Sequence, residues 1–203
     1  MCWRMSAETK IESVAVYCGS SSHCDAKFLD EAGRVGVALA EAGFRVVYGG
    51  GSNGLMGRVA DHALRTGAHV TGVIPGFMVE VEWAHRGLSD LQVVENMHER
   101  KRRILESSDA VVALPGGCGT LEELLEAITW KRLGLYTGPI VILNQDGFFN
   151  PCLNMLDACV QGRFMNKEHR DMWRTSESAA DVVDALMTSP TWSEDALRSA
   201  PAR

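Results

Sequence analysis

A chain of 203 residues with 46% hydrophobic and 23% charged side chains is long enough to bury one substantial core, and reads as a single globular domain. Its formal charge of −6 and pI near 5.5 exclude the global positive field that draws proteins to nucleic acid or acidic membranes, so any anionic ligand must be held by a local basic cluster. No stretch approaches the roughly 18 uncharged apolar residues of a membrane span, the start MCWRMSAETK lacks a signal-peptide core, and six cysteines without a CxxC pair or zinc spacing fit a cytoplasmic thiol protein.

Residues 1–11 are expected to form a loose extension, 12–188 the domain and 189–203 a loose tail. Within the domain the run SVAVY (Ser13 to Tyr17) predicts a strand, followed by a helix over 25–42, the strand FRVVY (Phe44 to Tyr48) and a helix over 54–66. Then come the strands HVTGVIP (His69 to Pro75) and LQVVE (Leu91 to Glu95), a helix over 96–107, the strand DAVVALP (Asp109 to Pro115) and a helix over 120–134. The strand PIVILN (Pro139 to Asn144) and helices over 148–162 and near 177–188 complete the series. The strand runs are near-continuously apolar, as strands buried on both faces of a parallel sheet are, and the alternation implies an α/β doubly wound domain with ligands at the carboxyl ends of its strands.

Two glycine loops follow such strands. YGGGSNGLMG contains GxGxxG at Gly49, Gly51 and Gly54, but the next strand ends GVIPG, without the acidic residue that a dinucleotide ribose requires, and there is no GK[ST]. The loop is either a tight turn packing helix on sheet or a backbone contact for a substrate. In PGGCGTLEE, the glycines Gly116, Gly117 and Gly119 let main-chain N–H groups converge at a helix start, where Thr120 is placed to cap and the dipole favours a phosphate. Thr120 and Glu123 also spell a capping box, which would give Glu123 a purely structural role. Leu121, Leu124, Leu125 and Ile128 form an apolar stripe at helical spacing, and a wheel built on it turns Glu123 outward, toward a cleft or a second protomer.

The segment ENMHERKRRILESS supplies positive charge. Asn96 and Glu99 have capping spacing, Met97, Ile104 and Leu105 outline an apolar face, and Arg100 and Lys101 flank that face while Arg102 and Arg103 fall away from it. Arg100 is either a structural ion pair or snorkelling side chain, or a planar fork for a phosphate, ribose or carboxylate. Between strands, Glu80, Glu82, Trp83, His85 and Arg86 are candidates for a lid, with a solvated loop as the alternative; His98 is a minor candidate.

Together YGGGSNGLMG, ENMHERK and PGGCGTLEE resemble the LOG (Lonely Guy) family of cytokinin riboside 5'-monophosphate phosphoribohydrolases, often mislabelled lysine decarboxylase-like; the likeness runs over about Glu12 to Met187. The resemblance implies a Rossmann-like doubly wound parallel sheet with helices on both faces, a homodimer, and hydrolysis of the bond between an adenine-type base and ribose 5-phosphate, on AMP or a cytokinin nucleotide. It places the essential arginine and glutamate at Arg100 and Glu123. Its substrate contacts fall on Glu82, Lys101, the loop residues Gly116, Gly117, Cys118, Gly119, Thr120, Leu121 and Glu122, and Thr129.

That chemistry requires no metal or redox cofactor and no nucleic-acid or membrane partner. A pyridoxal-phosphate lysine decarboxylase would need a Schiff-base lysine, and none of Lys10, Lys27, Lys101, Lys131 and Lys167 lies in a recognisable cofactor context. A non-catalytic nucleotide sensor is the alternative from another class, since phosphate cradles serve both.

Overall fold

The computed structural model describes residues 10–79, 81 and 84–193. Seven strands form one sheet: β1 (Ser13–Tyr17), β2 (Arg45–Tyr48), β3 (Val70–Pro75), β4 (Asp90–Val94), β5 (Ala110–Ala113), β6 (Ile140–Leu143) and β7 (Arg174–Ser176). Their order is β4-β3-β2-β1-β5-β6-β7 and every pairing is parallel. The helices are α1 (Ala26–Glu41), α2 (Gly54–Arg65), α3 (Met97–Glu106), α4 (Cys118–Arg132), α5 (Asn150–Gln161) and α6 (Ala179–Met187). This is a Rossmann-like doubly wound α/β fold.

The two-residue alternation of a strand divides the core into two layers. Val14 and Val16 of β1 join Val46, Val112 and Leu143 beneath α1, α2 and α6. Ala15 and Tyr17 point the other way and join Val47, Val111 and Ile142 beneath α3, α4 and α5. Central strands buried on both faces require β-branched residues at almost every position, which is why their runs are legible. At the sheet edge β4 departs from that expectation: Val93 is 60% exposed and Leu91 is also exposed, and among the described residues no helix covers that face. The three-residue strand β7 was not anticipated; its sequence Arg-Thr-Ser carries no apolar pattern.

Strand order reverses between β1 and β5, so the loops leaving their carboxyl ends part and open a crevice. The opposite end of the same pair is locked by Asp109, whose Oδ2 accepts from Glu12 N (3.0 Å), Ser13 N (2.9 Å) and Ser13 Oγ (2.8 Å). Register is thereby fixed at one end of the pair, with Tyr17 level with Ala113 at the other. Among the described residues, no helix is long and apolar enough to cross a membrane.

Candidate active site

Three loops meet at the crevice, and Gly19 joins them. Its N–H donates to Pro115 O (3.0 Å), and its carbonyl accepts from Leu55 N (3.0 Å) and Met56 N (3.3 Å), the opening groups of α2. Gly54 N donates to Ser22 Oγ (3.1 Å), tying α2 to the same β1 loop. That loop, Cys18 to Ser22, was not among the sequence candidates. Its signal was available: Gly-Ser-Ser-Ser directly after a central strand.

Helix α4 begins at Cys118, with Gly117 in the capping position and no side-chain cap bond. Gly117, Gly119 and Thr120 line the crevice, which therefore opens on a helix start of the kind whose dipole favours an anion. Two expectations fail here for one reason. The helix starts two residues earlier than the sequence suggests, so Thr120 sits in its first turn instead of capping it, and the Thr120–Glu123 capping box does not form. Thr120 instead packs inside, 4% exposed, beside Gly116; a β-carbon on Gly116 would lie 2.1 Å from Thr120 Oγ1 and 2.8 Å from Gly19 N. Only glycine permits that approach.

Glu123 does reach a cleft, one of the two destinations expected for it, but from the buried face of α4 and not the outward one. The buried face of α4 is Thr120, Glu123, Leu124, Ala127, Ile128 and Lys131, whereas Leu125 is 41% exposed and Leu121 half-buried. Leu124 and Ile128 lie on the buried face but Leu121 and Leu125 do not, so a wheel averaged over all four is rotated off the true one; the small Thr120 and Ala127 mark the face that meets the sheet. Glu123 is thus 7% exposed within the protomer's own crevice.

Arg100 reaches that crevice from α3. Asn96 caps this helix by accepting from Glu99 N (2.9 Å), as its spacing predicts, and Arg100, Lys101, Ile104 and Leu105 form the buried face. The Arg100 guanidinium, 3% exposed, donates from Nε to Val73 O (3.1 Å) and from Nη2 to Gly49 O (3.0 Å), with Nη1 3.8 Å from Met97 Sδ. Carbonyls of β3 and of the loop after β2 thus hold the planar group in one orientation. Lys101 turns the other way and pairs with Glu122 and with Glu126 Oε1 (3.2 Å), bridging α3 to α4. Burial pulls its ammonium down, but the two carboxylates outweigh that and hold it above the ordinary lysine value.

Arg100, Glu123, Thr120, Cys18, Met56 and Met97 line a cleft of about 180 Å³. Electrostatics place these groups within one field: burial pushes the Cys18 thiol up, the Glu123 carboxylate pushes it further, and Arg100 opposes. Sharing Gly19, Ser20 and Gly117 with the cleft is a second, more apolar cavity of about 360 Å³, walled by Cys24, Phe28, Leu55 and Phe148. The two phenyl rings meet edge to face at 5.8 Å.

Of the remaining candidates, Gly117, Gly119 and Glu122 also line the cleft, exposed at its rim with Cys118 beside them, and Glu122 is paired there with Lys101. Thr129 is exposed farther along α4, where its hydroxyl donates to Leu125 O (2.7 Å), and it does not line the cleft. Glu82 lies outside the described residues, as do Glu80 and Trp83. The segment that follows docks on the first glycine loop: Ala84 bridges Gly51, His85 N donates to Gly50 O (3.0 Å), and the His85 ring contacts Asp61 Oδ1 (3.0 Å). Arg86 and His98 are exposed. Among the described residues, no group of three or more His, Cys, Asp or Glu side chains is arranged to hold a metal ion.

A family model described as "Possible lysine decarboxylase" matches residues 56–186. The chain is 38% identical over 182 residues to cytokinin riboside 5'-monophosphate phosphoribohydrolase LOG1 of Arabidopsis thaliana, covering 90% of this chain and 85% of that protein. It is 41% identical over 175 residues to cytokinin riboside 5'-monophosphate phosphoribohydrolase LOG of Oryza sativa subsp. japonica, covering 86% and 72% respectively. Among solved structures, the molybdenum cofactor carrier protein of Chlamydomonas reinhardtii superposes with a TM-score of 0.68 at 20% identity over 87% of this chain and 96% of its own. The molybdenum cofactor binding protein of Rippkaea orientalis gives 0.66 at 19% identity over 86% and 94%. At such identities these two likenesses concern the fold alone.

Proposed function

The chain belongs to the LOG family of phosphoribohydrolases, and on that premise we propose that it hydrolyses the N-glycosidic bond of adenine-type nucleoside 5'-monophosphates, releasing free base and ribose 5-phosphate. The observation that carries this reading is the convergence of two buried charged side chains, Arg100 of α3 and Glu123 of α4, on one cleft beside the glycine-built start of α4. Structural ion pairs alone do not require a phosphate-sized opening at a helix start next to them.

Cleaving an N-glycosidic bond builds positive charge on the ribose and negative charge on the departing base, and catalysis consists of favouring both in the transition state. In the proposed arrangement the 5'-phosphate sits on the N–H groups opening α4 and on the Thr120 hydroxyl. That anchor places the ribose over Glu123, whose carboxylate stabilises the developing sugar cation and orients water. Arg100, held by Val73 and Gly49, supplies fixed positive charge toward the base or the carboxylate. The apolar cavity beside the cleft favours a base that carries an apolar substituent over adenine itself.

The decarboxylase description of the family model finds no support in the lysines. None lines the cleft: Lys101 pairs with Glu122 and Glu126, Lys131 is buried against Gly138 O, Lys27 pairs with Asp146, Lys10 with Glu12, and Lys167 is exposed. The proposal extends to a homodimer. With Glu123 turned inward, its support is now the outer face of α4, where Leu121, Leu125 and Thr129 recur at four-residue spacing and Leu125 is 41% exposed.

The test is incubation with AMP and with isopentenyladenosine 5'-monophosphate, followed by quantification of base and ribose 5-phosphate, alongside Arg100→Ala and Glu123→Gln. Release from either nucleotide that falls by about 10²-fold or more in both variants is expected. Intact nucleotide despite measurable binding would replace the hydrolase by a nucleotide sensor.

A further inference from the structure

The first glycine loop lends the Gly49 carbonyl to Arg100, yet Gly49 makes a further demand that neither this bond nor packing explains. Gly50 and Gly54 have φ of +79° and +60°, a conformation that favours glycine, whereas Gly49 is not among the residues with positive φ. Any residue could adopt its backbone. What Gly49 lacks is space: a β-carbon there would lie 2.0 Å from Arg100 Nη2, 3.1 Å from Arg100 Cζ and 3.2 Å from Met56 Cε.

We propose that Gly49 is a positioning residue for Arg100, its missing side chain being the socket that seats the guanidinium in the cleft. The same residue supplies the carbonyl that Nη2 bonds at 3.0 Å, so one position provides both the room and the anchor. With Val73 O of β3 bonding Nε from the neighbouring strand, two main-chain carbonyls hold the guanidinium plane. A methyl group at Gly49 meets the far end of a flexible side chain, not backbone. The predicted response is therefore movement of Arg100, with the fold retained. The functional consequence rests on the hydrolase reading above; the geometric one does not.

The experiment pairs Gly49→Ala with Arg100→Lys. A lysine Nζ ends where Arg100 Cζ stands, 3.1 Å from the new methyl, so the double variant is free of the 2.0 Å clash and serves as the folded control. The Arg100 Nε–H resonance, identified by its absence in Arg100→Lys, reports the seat directly because its proton is buried and bonded to Val73 O. In Gly49→Ala it should shift or be lost to exchange. Turnover of isopentenyladenosine 5'-monophosphate should fall by about 10²-fold, the scale of a misplacement near 1 Å, mainly in kcat. In the Arg100→Lys background the same substitution should change turnover by less than about twofold.

An unmoved resonance in Gly49→Ala would overturn the proposal, as would an equal further loss in the Arg100→Lys background. A moved resonance in a protein that cleaves neither nucleotide even as wild type would sustain the seat and refute the hydrolase.

Discussion

Lys131 offers a prediction whose sign and size follow from its position. It lies in the last turn of α4, 1% exposed, with Nζ donating to Gly138 O at 2.7 Å. Burial pulls its pKa from 10.5 down to about 8. Below the lower value both the folded and unfolded chains carry the proton, and the folded chain bears the full penalty of a desolvated ammonium, roughly 3 kcal/mol for that difference. Between the two values the unfolded chain binds the proton and the folded chain does not, so stability rises with pH. Above the upper value both are neutral and the penalty is gone. Lys131→Met removes the charge but also the bond to Gly138, worth about 1.5–3 kcal/mol for a charged donor, so near pH 7 the variant should lie within about 2 kcal/mol of wild type. The diagnostic is how the difference between the two proteins changes. Relative to wild type, the variant should lose roughly 3 kcal/mol between pH 7.5 and 10.5, measured by urea denaturation of both proteins in the same buffers. Tyr17, Tyr48, Tyr136 and Cys18, all pushed up chiefly by burial, weaken the fold at high pH, but they do so in both proteins and cancel. A difference that stays constant across the range would refute the reasoning.

Gly116→Ala places a methyl 2.1 Å from Thr120 Oγ1 and should open the phosphate cradle; kcat/KM should fall by about 10²-fold with an unchanged far-ultraviolet circular dichroism spectrum, and wild-type kinetics would remove Thr120 from the phosphate site. Lys101→Met breaks the bridge from α3 to Glu122 and Glu126, and because Glu122 is largely solvated the expected destabilisation is about 1 kcal/mol by urea titration; no loss would mean that the bridge does not hold the two helices together. Leu125→Asp puts a charge on the exposed outer face of α4; the proposed dimer should give way to a 22.1 kDa monomer in sedimentation, and a dimer unaffected by it would locate the interface elsewhere.

The sequence makes the framework legible because central strands leave little choice. Val14–Tyr17 must be apolar on both sides, so the strand Ser13–Tyr17 is legible to the residue, as is the helical spacing that buries Arg100 and Lys101 with Ile104 and Leu105. Legibility fails where a residue's surroundings come from distant parts of the chain. Arg174–Ser176 is a strand only because β6 lies beside it. Leu125 is a leucine on the outside, and Glu123 a carboxylate on the inside, because the helix face is chosen by contact with the sheet and by a start at Cys118 that spacing placed two residues late. The site shows the same limit. Gly49 is conspicuous as a glycine, but its reason is a guanidinium 51 residues away.

The lock at Asp109 has a consequence for how this scaffold can change. Its carboxylate gathers Glu12 and Ser13 at the end of the β1–β5 pair away from the cleft, while Gly19, Ser20, Gly116 and Gly117 line the other end. Strand alignment and the proposed ligand contacts are therefore written into different residues at opposite ends of the same two strands. Loops at Ser20 to Cys24 can be lengthened, shortened or randomised in a search for new bases without erasing the instruction that aligns the sheet, whereas a single change at Asp109 would disturb every variant in such a library alike.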